Sequence, residues 1–199
     1  MKNLQEYINE SLLDNLDDID NPSDLRQVIE NWIKKNYSFK NLDISKTPNK
    51  DGKFEVSSDT VIVEDGNDSI PSLTNGMFIW KKVKSFNCSY CDNLTSLEGA
   101  PEEVSRHFNC SRCHSLTSLK GAPKKVGKDF DCSGCTALTS LEGAPEIVGN
   151  DFNCSYCDNL TTLEGVSQKI GGSIYCYQRN DLKSYELPKG TKIKGIIHK

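Results

Sequence analysis

Apolar residues recur every 22 positions through the second half of the chain. Four blocks, 86–107, 108–129, 130–151 and 152–173, share the pattern F-x-C-x-x-C-x-x-L-x-x-L, and a fifth, 174–195, keeps only part of it. A 22-residue unit is too short to bury a core alone, so it has to stack on its neighbours. The pattern therefore predicts a solenoid in which each block forms one coil.

Each block also indicates its own local structure. Phe108 and Cys110 flank a single polar residue, which is the period of a strand with one buried face. The segment Gly121-Ala122-Pro123 cannot continue a strand or a long helix, so it predicts a turn and a short 3₁₀-like return. We expect a mainly β fold: a single-sheet, leucine-rich-repeat-like solenoid of about five coils, spaced by about 4.8 Å.

The region before the repeats has a different pattern. Asn21-Pro22 is typical of a helix start, and an apolar stripe with helical spacing follows it: Leu25, Val28, Ile29, Trp32 and Ile33. Short strand candidates follow at 54–56, 61–63 and 77–83, with turns at Asp51-Gly52 and Asp65-Gly66. We interpret this region as an N-terminal helix plus short-strand cap, with Trp32 as the core anchor onto the first coil.

These patterns divide the chain into four parts. Residues 1–20 form an amphipathic peptide, 21–85 an α/β cap, 86–173 four regular repeats, and 174–199 a degenerate repeat with a C-terminal cap. Acids from Asp14 to Asp20 would oppose the dipole of a helix that ended there. The first part is therefore expected to be flexibly linked.

Charge and composition narrow the classes of partner. The chain has 24 Lys plus Arg and 28 Asp plus Glu, so its formal net charge is -4. An acidic chain without a long apolar run favours neither nucleic acid nor membrane as a partner. No secretory signal is recognisable at the start, so we expect the nine cysteines to lie in a reducing, cytoplasmic compartment.

The cysteines have two interpretations. Four C-x-x-C pairs have the spacing of a zinc ribbon, which leaves a zinc-binding or redox protein as an alternative. The same 22-residue repeat also fixes Phe, Leu, Gly and Pro, however, and so explains the spacing without metal. We therefore predict no metal or cofactor and two structural columns: Cys88, Cys110, Cys132, Cys154 and Cys176 in one, and Cys91, Cys113, Cys135 and Cys157 in the other.

No catalytic constellation stands out from the repeats, so the sequence predicts a non-enzymatic protein. Small polar residues recur beside the strands and are expected to face solvent: Asn87, Asn109, Asp131 and Asn153, then Ser89, Ser111, Ser133 and Ser155. Exposed Tyr and Arg are enriched at binding hot spots. The predicted contacts with a protein partner are therefore Tyr90, Arg112, Tyr156, Tyr175 and Tyr177.

Charges alternate between successive blocks at fixed positions. One series is Glu98, Lys120 and Glu142, and another is Glu102, Lys124 and Glu146. Opposite charges on adjacent coils would help to fix the register of the stack. Acids interleaved with lysines also argue against a phosphate-binding surface.

The blocks LTSLEGAPxxVG and FxCS resemble the leucine-rich-repeat proteins encoded by tailed phages and gut-associated bacteria, over residues 70–195. In many of those proteins the inward position after the strand is Asn, whereas here it is Cys with one extra residue. The resemblance implies protein interaction without catalysis. We also expect the chain to be a monomer or to self-associate weakly.

The first ten residues resemble the capsid-targeting peptides of phage internal head proteins. Those peptides are removed after an Ile/Leu-x-Glu motif, which Ile8, Asn9 and Glu10 match. This resemblance implies packaging in a phage head and delivery into the host cytoplasm, where the partner would be a host protein. A purely structural virion component is the remaining alternative.

Overall fold

The computed structural model describes residues 22–63, 73, 78–178 and 183–199. The predicted peptide 1–20, its Ile8-Asn9-Glu10 motif and the predicted Asp65-Gly66 turn lie outside these residues. The fold is mainly β, as predicted: a parallel single-sheet solenoid preceded by a helix. Within the described residues, no helix has the length and apolar character that a membrane crossing requires.

The cap consists of one described helix and three strands. Helix α1 (Pro22–Asn36) is followed by β1 (Tyr37–Lys40) and β2 (Asp43–Ile44), and both pair antiparallel with β3 (Phe54–Val63). The two strand candidates at 54–56 and 61–63 are therefore one strand. Polar residues can continue it because Ser58 Oγ donates a hydrogen bond to the Lys40 carbonyl at 2.7 Å.

Strand β4 (Phe78–Asn87) joins the cap to the solenoid. It pairs in parallel with β3 on one side and with the first coil on the other. The boundary predicted at residue 85 thus falls inside a strand. Val83 starts one column of repeat strands and Phe86 starts the other, so cap and solenoid share one sheet.

Each later coil contributes two short strands, one to each column. The column that continues Val83 consists of β5 (Glu103–Val104), β7 (Lys125–Val126), β9 (Ile147–Val148), β11 (Lys169–Ile170) and β13 (Lys192–Ile193). The column that continues Phe86 consists of β6 (Phe108–Asn109), β8 (Phe130–Asp131), β10 (Phe152–Asn153), β12 (Ile174–Tyr175) and β14 (Ile197–His198). The described residues thus form about six coils, one more than predicted.

The predicted turn follows the leucines, but the predicted 3₁₀-like return is absent from these coils. The Ala122 N–H donates to the Leu119 carbonyl at 2.9 Å, and Gly121 between them has φ +88°. A positive φ at the third turn position is typical of a type II turn and favours glycine. A Cβ on Gly121 would also clash with the Glu98 backbone N of the preceding coil, so the turn and the close packing of the coils both require glycine here.

Aromatic rings connect the core of the cap to that of the solenoid. Phe86, Phe108, Phe130 and Phe152 stack one above another with centroids 5.2 to 5.6 Å apart. Trp80 of β4 packs edge-on against Phe86 at 5.8 Å and against Tyr37 at 5.4 Å. Trp32 is buried against Tyr37 and Phe78, and so anchors the helix to the strand that enters the first coil.

The alternating charges form ion pairs between coils. Lys120 lies 3.1 Å from Glu98, and Lys124 lies 2.6 Å from Glu102. All four side chains are exposed, so solvent screens both pairs and each adds little to the stability of the fold. Their role is to favour one register of the stack.

Candidate functional site

In the first four coils, the strand of the column that continues Phe86 ends where a backbone N–H donates a hydrogen bond to the side chain two residues before it. The Ser111 N–H donates to Asn109 Oδ1 at 2.9 Å, which turns the backbone out of the ladder. The same bond recurs in the first, third and fourth coils, with Asn87, Asp131 and Asn153 as acceptors. This column of polar residues therefore has a structural role, because only Asn, Asp and similar short polar side chains form such turns.

The turn leaves one backbone carbonyl per coil without its ladder partner. A parallel ladder that continued past Asn109 would bring the Ser111 N–H to the Cys88 carbonyl, but that N–H is already bonded to Asn109. The Cys113 thiol takes its place, with Sγ 3.1 Å from the Cys88 oxygen. A buried carbonyl without a donor would destabilise the fold, so the second cysteine column supplies required donors.

The same contact recurs in the next two coils. Cys135 Sγ lies 3.2 Å from the Cys110 carbonyl oxygen, and Cys157 Sγ lies 3.2 Å from that of Cys132. We call these two contacts, together with that of Cys113, the thiol ladder. All nine cysteines are buried and none forms a disulfide.

Burial favours the protonated form of the thiols in the first cysteine column. Burial raises the pKa of Cys88, Cys110 and Cys154. The hydrogen bond to Cys113, together with burial, raises the pKa of Cys135. Hydrogen bonds from Cys135 and Cys91 lower the pKa of Cys113. The Cys113 Sγ nevertheless lies 3.1 Å from the Cys88 carbonyl oxygen, a contact that only a protonated thiol can make as a donor, so we assign the proton to Cys113 from this geometry.

A protonated, buried thiol is a poor nucleophile and a poor metal ligand. Within the described residues, no group of three or more His, Cys, Asp or Glu side chains is placed to hold a metal ion. The zinc or redox alternative therefore gains no support from the arrangement of the cysteines.

The residue between the two cysteines has a left-handed backbone in four successive coils. Its φ is +60° at Tyr90, +57° at Arg112, +71° at Gly134 and +60° at Tyr156. Glycine adopts this conformation freely, whereas other residues pay on the order of 1 kcal/mol or more. Glycine would therefore cause less backbone strain at these positions than Tyr90, Arg112 and Tyr156 do.

Five predicted partner residues and Gly134 line one groove of about 620 Å³. We call this groove the turn face; it comprises Tyr90, Arg112, Gly134, Tyr156, Tyr175 and Tyr177. Tyr90, Tyr156 and Tyr177 have 49%, 54% and 40% of their surface exposed, although large apolar rings are normally buried. The structure therefore brings together the residues that the sequence singled out.

Contacts within the turn face hold part of it in place. Arg112 Nη1 donates to the Tyr90 hydroxyl at 2.7 Å, and its guanidinium lies over the Tyr90 ring at 5.1 Å. Gly134 follows in the next coil and presents no side chain, which leaves a gap before Tyr156. Within the turn face, the Tyr90–Arg112 pair is therefore separated from Tyr156 by a notch one coil wide at Gly134.

Sequence reasoning missed two features of this surface. His198 stacks on Tyr175 with centroids 4.5 Å apart, which extends the aromatic surface into the last coil. His114 also lines the groove, and its Nδ1 lies 2.7 Å from Asp92 Oδ1 in the coil before. The signal for His198 was weak because the last coil is 23 residues from the fifth and lacks Phe and Cys.

The serine column is only partly exposed, contrary to prediction. Ser89 and Ser155 are buried, whereas Ser111 and Ser133 are half-buried. Ser155 lies between two coils, since its Oγ accepts a hydrogen bond from the Tyr177 N–H at 3.2 Å. The serines therefore stabilise the turns, and the residues that follow them form the exposed surface.

Comparison of this chain with models of protein families, with curated proteins and with solved structures finds no match. The turn face must therefore be interpreted from its own chemistry.

Proposed function

We propose that this chain is a non-catalytic interaction module of leucine-rich-repeat type, which binds a protein partner through the turn face. The observation that supports this proposal most strongly is the left-handed backbone of Tyr90, Arg112 and Tyr156. Strained side chains persist where they serve a function, because glycine in the same column would remove the strain.

The chemistry of the turn face suits a protein surface. Tyr and Arg bury a large area with few rotatable bonds and also offer hydrogen-bonding groups, so they dominate binding energy at protein interfaces. The Tyr90–Arg112 pair is ordered before a partner arrives, which lowers the entropy lost on binding. The notch at Gly134 would accept a protruding side chain of the partner.

The repeat signature and the N-terminal motif support a phage origin and a bacterial host protein as the partner. Packaging in the phage head follows from the same resemblance. Intact mass of the protein from purified virions tests it: cleavage after Glu10 is expected, and a chain that retains residues 1–10 in the virion would contradict it.

The binding experiment replaces Tyr90, Arg112 and Tyr156 together by glycine. Because glycine relieves the left-handed strain, the triple variant is expected to be at least as stable as the natural chain. Any loss of binding then comes from lost contacts. We expect capture of the partner from host cells to fall by at least about tenfold.

The matched control replaces three exposed threonines on another side of the coils, Thr95, Thr117 and Thr139, by alanine. This control is expected to capture the partner as the natural chain does. Equal capture by the glycine variant and the natural chain would rule out the turn face as the binding surface.

A further inference from the structure

The sixth coil leaves one edge of the sheet unpaired. Strands β13 and β14 end the two columns, and within the described residues no strand pairs with their outer side. In the fifth coil, the Ile174 N–H donates to the Ile196 carbonyl of the sixth coil at 3.0 Å. The equivalent N–H of the sixth coil belongs to Ile197 and has no such acceptor in the described part of the chain. We call the outer side of β13 and β14 the open edge; such an edge is a template for a further strand.

The apolar core is also less well covered at the open edge. Val148 and Phe152 of the fourth coil are fully buried, whereas Ile193 and Ile197, which continue the same two columns, are only half-buried. Between them, Ile196 has 63% of its surface exposed. A strand added to the open edge would cover these side chains, as each coil covers the one before it.

The open edge carries uncompensated positive charge. The range 183–199 contains five lysines and one glutamate. Lys192 lies directly opposite Lys169, and neither forms an ion pair within the described residues. Like charges in this position destabilise a sheet, and the earlier coils avoid them by placing Glu103 opposite Lys125. An acid on the outer side of Lys192 would offset the repulsion.

The other end of the sheet shows which kind of strand covers such an edge. There β3 pairs in parallel with β4, and its acids bind lysines of β4: Glu55 lies 3.1 Å from Lys81, and Asp59 lies 2.7 Å from Lys84. Lys84 directly follows the first residue of the Val83 column, as Lys194 directly follows the last. The first coil is thus covered by an acidic strand rich in β-branched residues, and the last coil has a lysine at the equivalent position.

A second copy of the chain suits the open edge poorly. If two copies met end to end, five lysines of one would face five lysines of the other, and such like-charge contacts are costly. Lysines on an edge strand are a common barrier to this kind of self-pairing. The same lysines attract a strand of opposite charge.

We propose that the open edge binds an acidic, extended segment of a protein partner, which adds to the sheet as a further strand. Its β-branched side chains cover Ile193 and Ile197, and its acids face Lys192 and Lys194. The turn face runs across the first five coils, so the two surfaces can be tested separately.

Fluorescence anisotropy with a synthetic peptide tests this proposal on the full chain. The probe is a labelled peptide that alternates valine and glutamate and is as long as the segment 192–199. Saturable binding is expected. A peptide with lysine in place of glutamate should bind at least about tenfold more weakly, because its charges repel those of the edge. A peptide of the same composition, with all valines before all glutamates, should also bind at least about tenfold more weakly, since it lacks the alternation of a strand with one apolar face.

The protein variant Lys192→Glu/Lys194→Glu reverses the charge of the open edge. It should bind the glutamate peptide at least about tenfold more weakly and the lysine peptide more tightly than the natural chain does. The gain for the lysine peptide shows that the edge is still folded. The matched control is Lys46→Glu/Lys50→Glu, which makes the same change at exposed lysines of the cap and should leave both affinities unchanged.

Four results would overturn the proposal. These are no saturable binding of the glutamate peptide, equal binding of the glutamate and lysine peptides by the natural chain, and equal loss in both lysine variants. The fourth is a dimer of the natural chain that excludes the glutamate peptide, because a second copy would then occupy the edge.

Discussion

The thiol ladder can be tested by a pair of substitutions that differ in one hydrogen bond. Cys135→Ala removes a buried sulfur and the donor to the Cys110 carbonyl, whose oxygen lies 3.2 Å from Sγ. Cys110→Ala removes an equally buried sulfur, but within the described residues the Cys110 thiol donates no hydrogen bond. The Cys110 carbonyl itself is retained in both variants.

The expected difference follows from these contacts. Both variants lose burial and packing worth about 1 to 2 kcal/mol. Cys135→Ala also leaves a buried carbonyl without its donor, which costs about 1 to 3 kcal/mol, and about 1 kcal/mol for a donor as weak as a thiol. Cys135→Ala should therefore lower the free energy of unfolding by about 1 kcal/mol more than Cys110→Ala.

Urea unfolding under reducing conditions measures this difference. With an m-value of about 2 kcal/mol/M, the midpoint of Cys135→Ala should lie about 0.5 M below that of Cys110→Ala. Equal midpoints would show that the carbonyl does not depend on the thiol, and the second column would then be no more than apolar filling.

Two further predictions follow from the turns and the ion pairs. Gly143→Ala should lower the free energy of unfolding in urea by about 3 kcal/mol or more, because φ is +86° and the new Cβ would lie 2.6 Å from the Lys120 backbone N. The control is Gly52→Ala, which has φ +73° but open space around the new Cβ, and it should cost about 1 kcal/mol. A hydrogen bond from Lys124 holds the pKa of Glu102 below its ordinary 4.5, so this exposed pair adds a little stability above pH 4.5 that is lost as the pH falls further. Lys124→Gln should therefore lose less stability than the natural chain between pH 5 and pH 3. Identical acid sensitivity in the two proteins would contradict this assignment.

The repeat made most of the solenoid predictable, because each apolar position recurs in every coil. The cap was harder. The apolar pattern of β3 is interrupted by four polar residues, Ser57, Ser58, Asp59 and Thr60. This stretch stays extended because it pairs with strands on both sides. The sixth coil was hidden because Ile193 and Ile197 replace the usual Val and Phe at a changed spacing.

The residues of the turn face were predictable from the sequence, but their backbone conformation was not. Exposed Tyr and Arg at a variable position suggested binding residues, yet Tyr90 and Arg112 carry no sign of a positive φ. Gly134, which occupies the same position in the third coil, was the one signal of a left-handed backbone there. The bond from each strand-end Asn or Asp to the following N–H depends on three-dimensional geometry, so the column was interpreted as solvated.

The central claim is that all nine thiols form the interior of hydrogen-bonded coils. Counting thiols with a thiol-specific chromogenic reagent, in reduced and chelator-treated protein, tests it directly. We expect all nine to react in denaturant and almost none to react rapidly in the native state, since burial and protonation both slow the reaction. Rapid reaction of several thiols in the native, metal-free protein would contradict the claim.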